Sequence, residues 1–187
     1  SFNTQLNGSL LASIGTFVNL EVLSVALTSL NGVNENYIRY ALPSTISNCQ
    51  HLKNIDMRYT NDESHWPAAI GDLSELESLS FTTGMNFPNV SQLRRLKLLD
   101  ISFSSYEQNV VLPLDIGDME SLEFLSLRKL QNPTFPPSFA NLLNLTSFEL
   151  EASVLGPVPT LFSGLSSLET LRIMGCGFTG TLPLGYW

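Results

Sequence analysis

The apolar positions of this chain recur in a fixed pattern. L-x-x-L-x-L is met as Leu20-Leu23-Val25, Leu52-Ile55-Met57, Leu76-Leu79-Phe81, Leu96-Leu99-Ile101, Leu122-Leu125-Leu127, Leu145-Phe148-Leu150 and Leu168-Leu171-Ile173. Successive first leucines are 32, 24, 20, 26, 23 and 23 residues apart. Within each unit the last two apolar positions alternate with polar ones, which predicts a short strand with one buried face. Ahead of the strand the apolar spacing changes to three, as in Ile70-Leu73-Leu76 and Phe162-Leu165-Leu168. A proline opens this stretch nine residues before the leucine at Pro43, Pro67, Pro113, Pro136 and Pro159. Spacing by three with a leading proline predicts irregular or 3₁₀ turns. Neither half of such a unit can bury its apolar side alone. Stacked units can, and the expected architecture is an α/β solenoid with a parallel sheet on its concave side and a 3₁₀ or irregular convex side.

Two stretches say more about the kind of repeat. The chain opens with Thr4-Gln5-Leu6-Asn7-Gly8-Ser9-Leu10, and its last unit reads Cys176-Gly177-Phe178-Thr179-Gly180-Thr181-Leu182-Pro183. Both resemble N-x-L-x-G-x-I-P, the signature of the plant-type, extracellular class of leucine-rich repeat. That class is found in receptor-like kinases and receptor-like proteins, polygalacturonase-inhibitor proteins and surface antigens of some protists. The resemblance implies a right-handed superhelix, an extracellular or cell-surface location, and binding rather than catalysis. The repeat register predicts one domain over 1–187, about seven full repeats with partial repeats at both ends, expected to be covered by flanking repeats or caps in a larger parent protein. The ninth repeat position, where the class places asparagine, here reads Thr28, Thr60, Gly84, Ser104, Leu130, Ser153 and Cys176. The chain is therefore expected to be a divergent member with a weakened amide ladder.

Charge narrows the partners. Seventeen acidic against nine basic residues give a formal charge of −8. A nucleic-acid surface needs a basic stripe, and an anionic membrane repels such a chain. No apolar run approaches the roughly 20 residues of a transmembrane helix, so direct membrane insertion is not expected of this segment. Protein, peptide or glycan ligands remain. No nucleotide, metal or cofactor motif is present, the two histidines His51 and His65 sit in no ligand spacing, and no catalytic role is assigned. Cys49 and Cys176 lie five repeats apart, about 24 Å by strand stacking, and are expected to be unpaired.

The strand residues between the leucines should face the ligand. One outward column is Ser24, Asp56, Ser80, Asp100, Ser126, Glu149 and Arg172; two positions on, it is Ala26, Arg58, Thr82, Ser102, Arg128, Glu151 and Met174. The next position reads Leu27, Tyr59, Thr83, Phe103, Lys129, Ala152 and Gly175, and is expected on the same surface. Aromatic residues and arginines are enriched at binding hot spots. On that ground Asp56, Arg58, Tyr59, Asp100, Phe103, Arg128 and Lys129 form the candidate concave patch. The overlong first unit holds an Asn31-Gly32 turn with Tyr37, Arg39 and Tyr40, a candidate binding loop. Sequons at Asn7, Asn89 and Asn144 are candidate glycosylation sites. The expected function is an extracellular recognition module for a protein, peptide or glycan. A structural or adhesive surface protein is the alternative, followed by an inhibitor of an extracellular enzyme.

Overall fold

The computed structural model describes residues 13–25, 42–58, 66–83, 87, 89–103, 109–153 and 155–179. Ten strands are present among them: β1 Val22–Ser24, β2 Asn54–Met57, β3 Ser78–Thr83, β4 Leu98–Phe103, β5 Asn109–Val111, β6 Phe124–Thr134, β7 Ser147–Ser153, β8 Leu155–Pro157, β9 Thr170–Met174 and β10 Gly177–Thr179. β1, β2, β3, β4, β6, β7 and β9 lie side by side in one parallel sheet, with β5 added along β6. β8 and β10 pair in a second small parallel sheet. All helical structure in the described residues is 3₁₀, in turns such as Ser44–Asn48, Ala68–Asp72, Pro137–Asn141 and Thr160–Gly164.

The register is the one that the leucines predict. Leu23, Ile55, Leu79, Leu99, Leu125, Phe148 and Leu171 stand opposite one another from strand to strand. Unequal repeat lengths therefore do not disturb the sheet register. One residue ahead of each strand a backbone ladder runs across the whole stack. The amide of Lys53 donates to the Glu21 carbonyl, Glu77 to Lys53, Lys97 to Glu77, Glu123 to Lys97, Thr146 to Glu123 and Glu169 to Thr146, all at 2.8–2.9 Å.

The three-residue spacing of the return segments is a hydrogen-bond period. Ile46 donates to Pro43, Cys49 to Ile46 and Leu52 to Cys49, and the sequence repeats as Pro136, Phe139, Leu142 and Leu145. Pro43, Pro67 and Pro136 sit in extended backbone just before their turns, where the missing N–H costs nothing and the carbonyl accepts the first bond. These i→i−3 bonds bring every third side chain to one side, and that side meets the strand leucines. Ile46, Leu52, Ile70, Leu76, Phe139, Leu145 and Phe162 are all fully buried. Phe139, Phe148 and Phe162 pack with Phe135 at centroid distances of 5.0–6.3 Å, mostly edge to face. In β9, by contrast, Leu171 and Ile173 are only half-buried. The repeats stack so that each covers its neighbour, and the inward side chains of β9 meet a described strand on one flank only.

One detail departs from the expected register. Leu127 pairs with Leu150, but the next aligned pair is Leu130 with Ala152, so β6 spends two residues where β7 spends one. The extra residue is Lys129, which takes a left-handed φ of 60° and points out, while Leu130 is fully buried. This is a β-bulge. It moves Leu130 out of the ninth-position column and sets Gln131 there, opposite Ser153 and Asn109. An amide side chain, that of Gln131, thus follows in the register opposite Ser153. Both cysteines are free, as their separation requires. Cys49 is buried with its thiol donating to the Ile14 carbonyl, and burial pushes its pKa up.

Neighbouring 3₁₀ turns pack backbone against backbone, which explains their small residues. A Cβ placed on Gly117 would lie 2.1 Å from the Ser138 carbonyl oxygen, whereas one on Gly71 would lie 3.2 Å from that of Asn89. Gly117→Ala is expected to cost about 1–3 kcal/mol through backbone displacement, and Gly71→Ala clearly less. Urea unfolding of the two variants beside the parent checks this; equal midpoints for all three would contradict the close packing of the turns.

Candidate functional site

Strand parity decides which side chains face away from the core. In β3, Leu79, Phe81 and Thr83 are fully buried, so Ser78, Ser80 and Thr82 point to the concave face. The same parity applied along the sheet gives rows Val22-Ser24, Asn54-Asp56-Arg58, Ser78-Ser80-Thr82, Leu98-Asp100-Ser102, Phe124-Ser126-Arg128, Ser147-Glu149-Glu151 and Thr170-Arg172-Met174. Phe103 is not among them. It is 1% exposed and lies in the inward column with Thr83, Leu130 and Ala152. Its placement on the ligand-facing surface is thereby corrected: β4 continues its alternation for one more inward residue.

Four of the candidate residues come together. The Arg58 guanidinium donates to both Asp56 carboxylate oxygens, at 3.0 and 2.7 Å, and its amide donates to the same carboxylate. Its other terminal nitrogen lies 4.0 Å from Asp100. Asp100 in turn accepts from Arg128 at 2.5 and 2.6 Å. An acid–base–acid–base chain therefore crosses β2, β3, β4 and β6. It can pass over β3 because Ser80 and Thr82 are short. Asp100 is the enclosed member, its side chain 10% exposed against 30% for Arg128. Further along, Arg172 donates to Glu149 at 2.5 Å.

Burial would raise the Asp56 carboxyl, but the Arg58 hydrogen bonds and positive charge outweigh it, and the pKa is held below its ordinary value of 3.8. Among the described residues Lys129 is the concave-side cation with no acidic partner at ion-pair distance. Ser126 is an outward position, yet it is 1% exposed, enclosed by larger neighbours in the same and adjacent rows. Its hydroxyl and the Nε of Arg128 find no hydrogen-bond partner.

Tyr59, the loop residues Tyr37, Arg39 and Tyr40, and the sequon residue Asn7 lie outside the described residues. Asn89 and Asn144 are exposed on return segments away from the concave strands, and the Asn144 side chain donates to the Glu120 carbonyl at 2.7 Å. The sequence reading missed Leu98 and Phe124. Both are outward and half-buried, and they are direct register partners on β4 and β6. The signal was available: each immediately precedes an inward strand residue, so parity alone turns it outward.

Two outcomes are expected from this geometry. Ser126→Ala removes an enclosed hydroxyl that has no partner, and should raise stability by about 1 kcal/mol; a fall in the thermal midpoint would show that the hydroxyl is satisfied. The Asp56 carboxyl, with its folded pKa depressed, contributes stability above its ordinary value and loses it as pH falls through the folded value. The stability gap between parent and Asp56→Asn should therefore narrow between about pH 6 and about pH 2.5, as read by urea midpoints.

No family model matches the chain. It is similar to Receptor-like protein 41 of Arabidopsis thaliana, 26% identical over 191 residues that cover 98% of this chain and 21% of that protein. It is also similar to Protein SUPPRESSOR OF npr1-1, CONSTITUTIVE 1 of Arabidopsis thaliana, 30% identical over 155 residues that cover 80% of this chain and 10% of that one. The chain spans about a fifth or less of the length of these curated relatives. Among solved structures it resembles the Arabidopsis receptor kinase HAESA in complex with the peptide hormone IDA and the co-receptor SERK1. There the TM-score is 0.63 at 21% identity, over 89% of this chain and 28% of that one. With its seven-unit repeat, its in-register parallel sheet and these likenesses, the chain has the fold of a leucine-rich-repeat solenoid.

Proposed function

We propose that this chain is a recognition module that binds a protein or peptide on its concave face, within a longer extracellular or cell-surface protein. The observation that carries the reading is the outward grid of β2, β3, β4, β6, β7 and β9. It sets serines and threonines beside ion-paired Asp56, Arg58, Asp100 and Arg128 and the half-exposed Leu98 and Phe124. Extended concave sheets of this kind are the usual contact surfaces of solenoids. Support comes from HAESA, a leucine-rich-repeat likeness whose structure was solved with a peptide hormone. The exposed Asn89 and Asn144 offer places for glycans that leave the concave strands clear. Lys129, lifted by the bulge beside Arg128, stands at the margin of this surface and belongs to the proposed patch. Ligand binding without catalysis is the role assigned to it.

A random peptide library panned on the immobilised chain tests the reading. Ser102→Trp adds bulk in an outward row, and Ser166→Trp adds the same bulk in an exposed return turn. Selected peptides should lose about tenfold or more in affinity on the first change and little on the second. Peptides indifferent to Ser102→Trp but weakened by Ser166→Trp, or no selectable peptide at all, would overturn it.

A further inference from the structure

The concave face is electrically self-satisfied where it is best packed. Asp100 is paired with Arg128 and approached by Arg58, Glu149 is paired with Arg172, and Lys97 beside Leu98 is paired with Glu77 at 3.4 Å. A charged ligand group arriving at the centre of the sheet would have to strip one of these pairs and leave a carboxylate or guanidinium uncompensated in a partly enclosed place. An uncharged group faces no such exchange.

The same region holds an apolar feature. Leu98 and Phe124 stand side by side on adjacent strands. Their outer neighbours in the same column are Ser78 and Ser147, and Ser126 follows Phe124 in its row. The result is an isolated two-residue apolar step, half-buried, with serines as its register and row neighbours. Half-buried aromatic surface ringed by small polar groups is the arrangement that binding anchors favour, since the ring is already held and little side-chain freedom remains to be lost.

We infer that Leu98 and Phe124 are the anchor of the ligand surface, and that they seat an aromatic or aliphatic side chain from an uncharged stretch of an extended peptide. This rests on the reading of the concave face given above and specifies its ligand. The neighbouring serines admit a main chain at close range, and the paired charges select against acidic or basic residues at the anchor itself. Lys129, on the bulge five residues along β6 from Phe124, has no acidic partner at ion-pair distance among the described residues.

The test uses the whole ¹⁵N-labelled chain and four blocked amino acids as probes: N-acetyl-phenylalaninamide, N-acetyl-leucinamide, N-acetyl-aspartamide and N-acetyl-lysinamide. The phenylalanine and leucine probes should produce saturable shifts centred on β4 and β6 that persist at high salt. Phe124→Ser should weaken them about tenfold, while Phe124→Leu, which keeps an apolar surface, should retain most of the binding. Unchanged amide spectra elsewhere in each variant report that the solenoid still folds. Stronger shifts at β4 and β6 from the charged probes, or apolar-probe binding indifferent to Phe124→Ser, would overturn the assignment. So would saturable binding of cellobiose at the step in place of the apolar probes, which would make the surface a sugar site. The broader reading fails separately. Library peptides that Ser102→Trp abolishes but Phe124→Ser leaves untouched would remove this anchor and keep the concave face as the binding surface.

Discussion

Everything in this molecule depends on parallel stacking in register. A strand of three to seven residues, the length of most of those in the sheet, cannot bury two leucines by itself. Laid against its neighbour at one strand spacing, it buries both. Leu79, Leu99, Leu125 and Phe148 are accordingly inaccessible to solvent, whereas Leu171 in β9 is half-exposed. A shift of register by one residue would turn this column out and the polar column in, so the pairing tolerates no slip. Sequence length varies from 20 to 32 residues between leucines, and the paired strands keep their register all the same. The backbone ladder from Glu21 to Glu169 is the physical trace of that rule: it is regular because nothing ahead of it has to be.

Register also explains why the exposed face is an ordered array. Once the leucine columns are aligned, the outward residues fall into columns too, about one strand spacing apart. Side chains can then reach across rows. Arg58 spans from β2 to the Asp100 carboxylate of β4 because the intervening outward residues are Ser80 and Thr82. Exposed ion pairs such as Lys53 with Glu21 or Lys97 with Glu77 add little stability in water. The Asp100–Arg128 pair is more enclosed, and its effect is on the surface potential as much as on stability. It cancels the charges that a ligand would otherwise read.

The fold was legible because it is written in spacing. The two-residue and three-residue apolar periods name the strands and the turns, and both recur as hydrogen-bond periods at Pro43-Ile46-Cys49-Leu52 and its counterparts. The face was only partly legible. Asp56, Arg58, Asp100 and Arg128 were found because each directly follows an inward residue, and Phe103 was misplaced because nothing in its spelling says that β4 runs one inward residue further. The bulge at Lys129 was hidden for a different reason. A left-handed residue is usually announced by glycine or asparagine, and here a lysine adopts it. What holds it there is the burial of Leu130 on the other side of the strand, a tertiary demand that no local pattern carries. Leu98 and Phe124 escaped because apolar residues next to core leucines look like more core.

That last confusion points to how such a chain can diverge so far. Identities of 26–30% to longer proteins are low, yet the columns that build the stack are few: two in the strand, three in the return turn, and small residues where turns touch. Substitutions in the outward columns do not disturb the register, although Ser80, Asp100 and Ser126 there are enclosed by their neighbours. The outward columns are therefore the cheapest places for sequence to change, and any chemistry that they carry is carried independently of the fold. An apolar residue in such a position is not explained by the core, because parity turns it away from the core. Phe124 is therefore better understood by what lies in front of it than by what lies behind it.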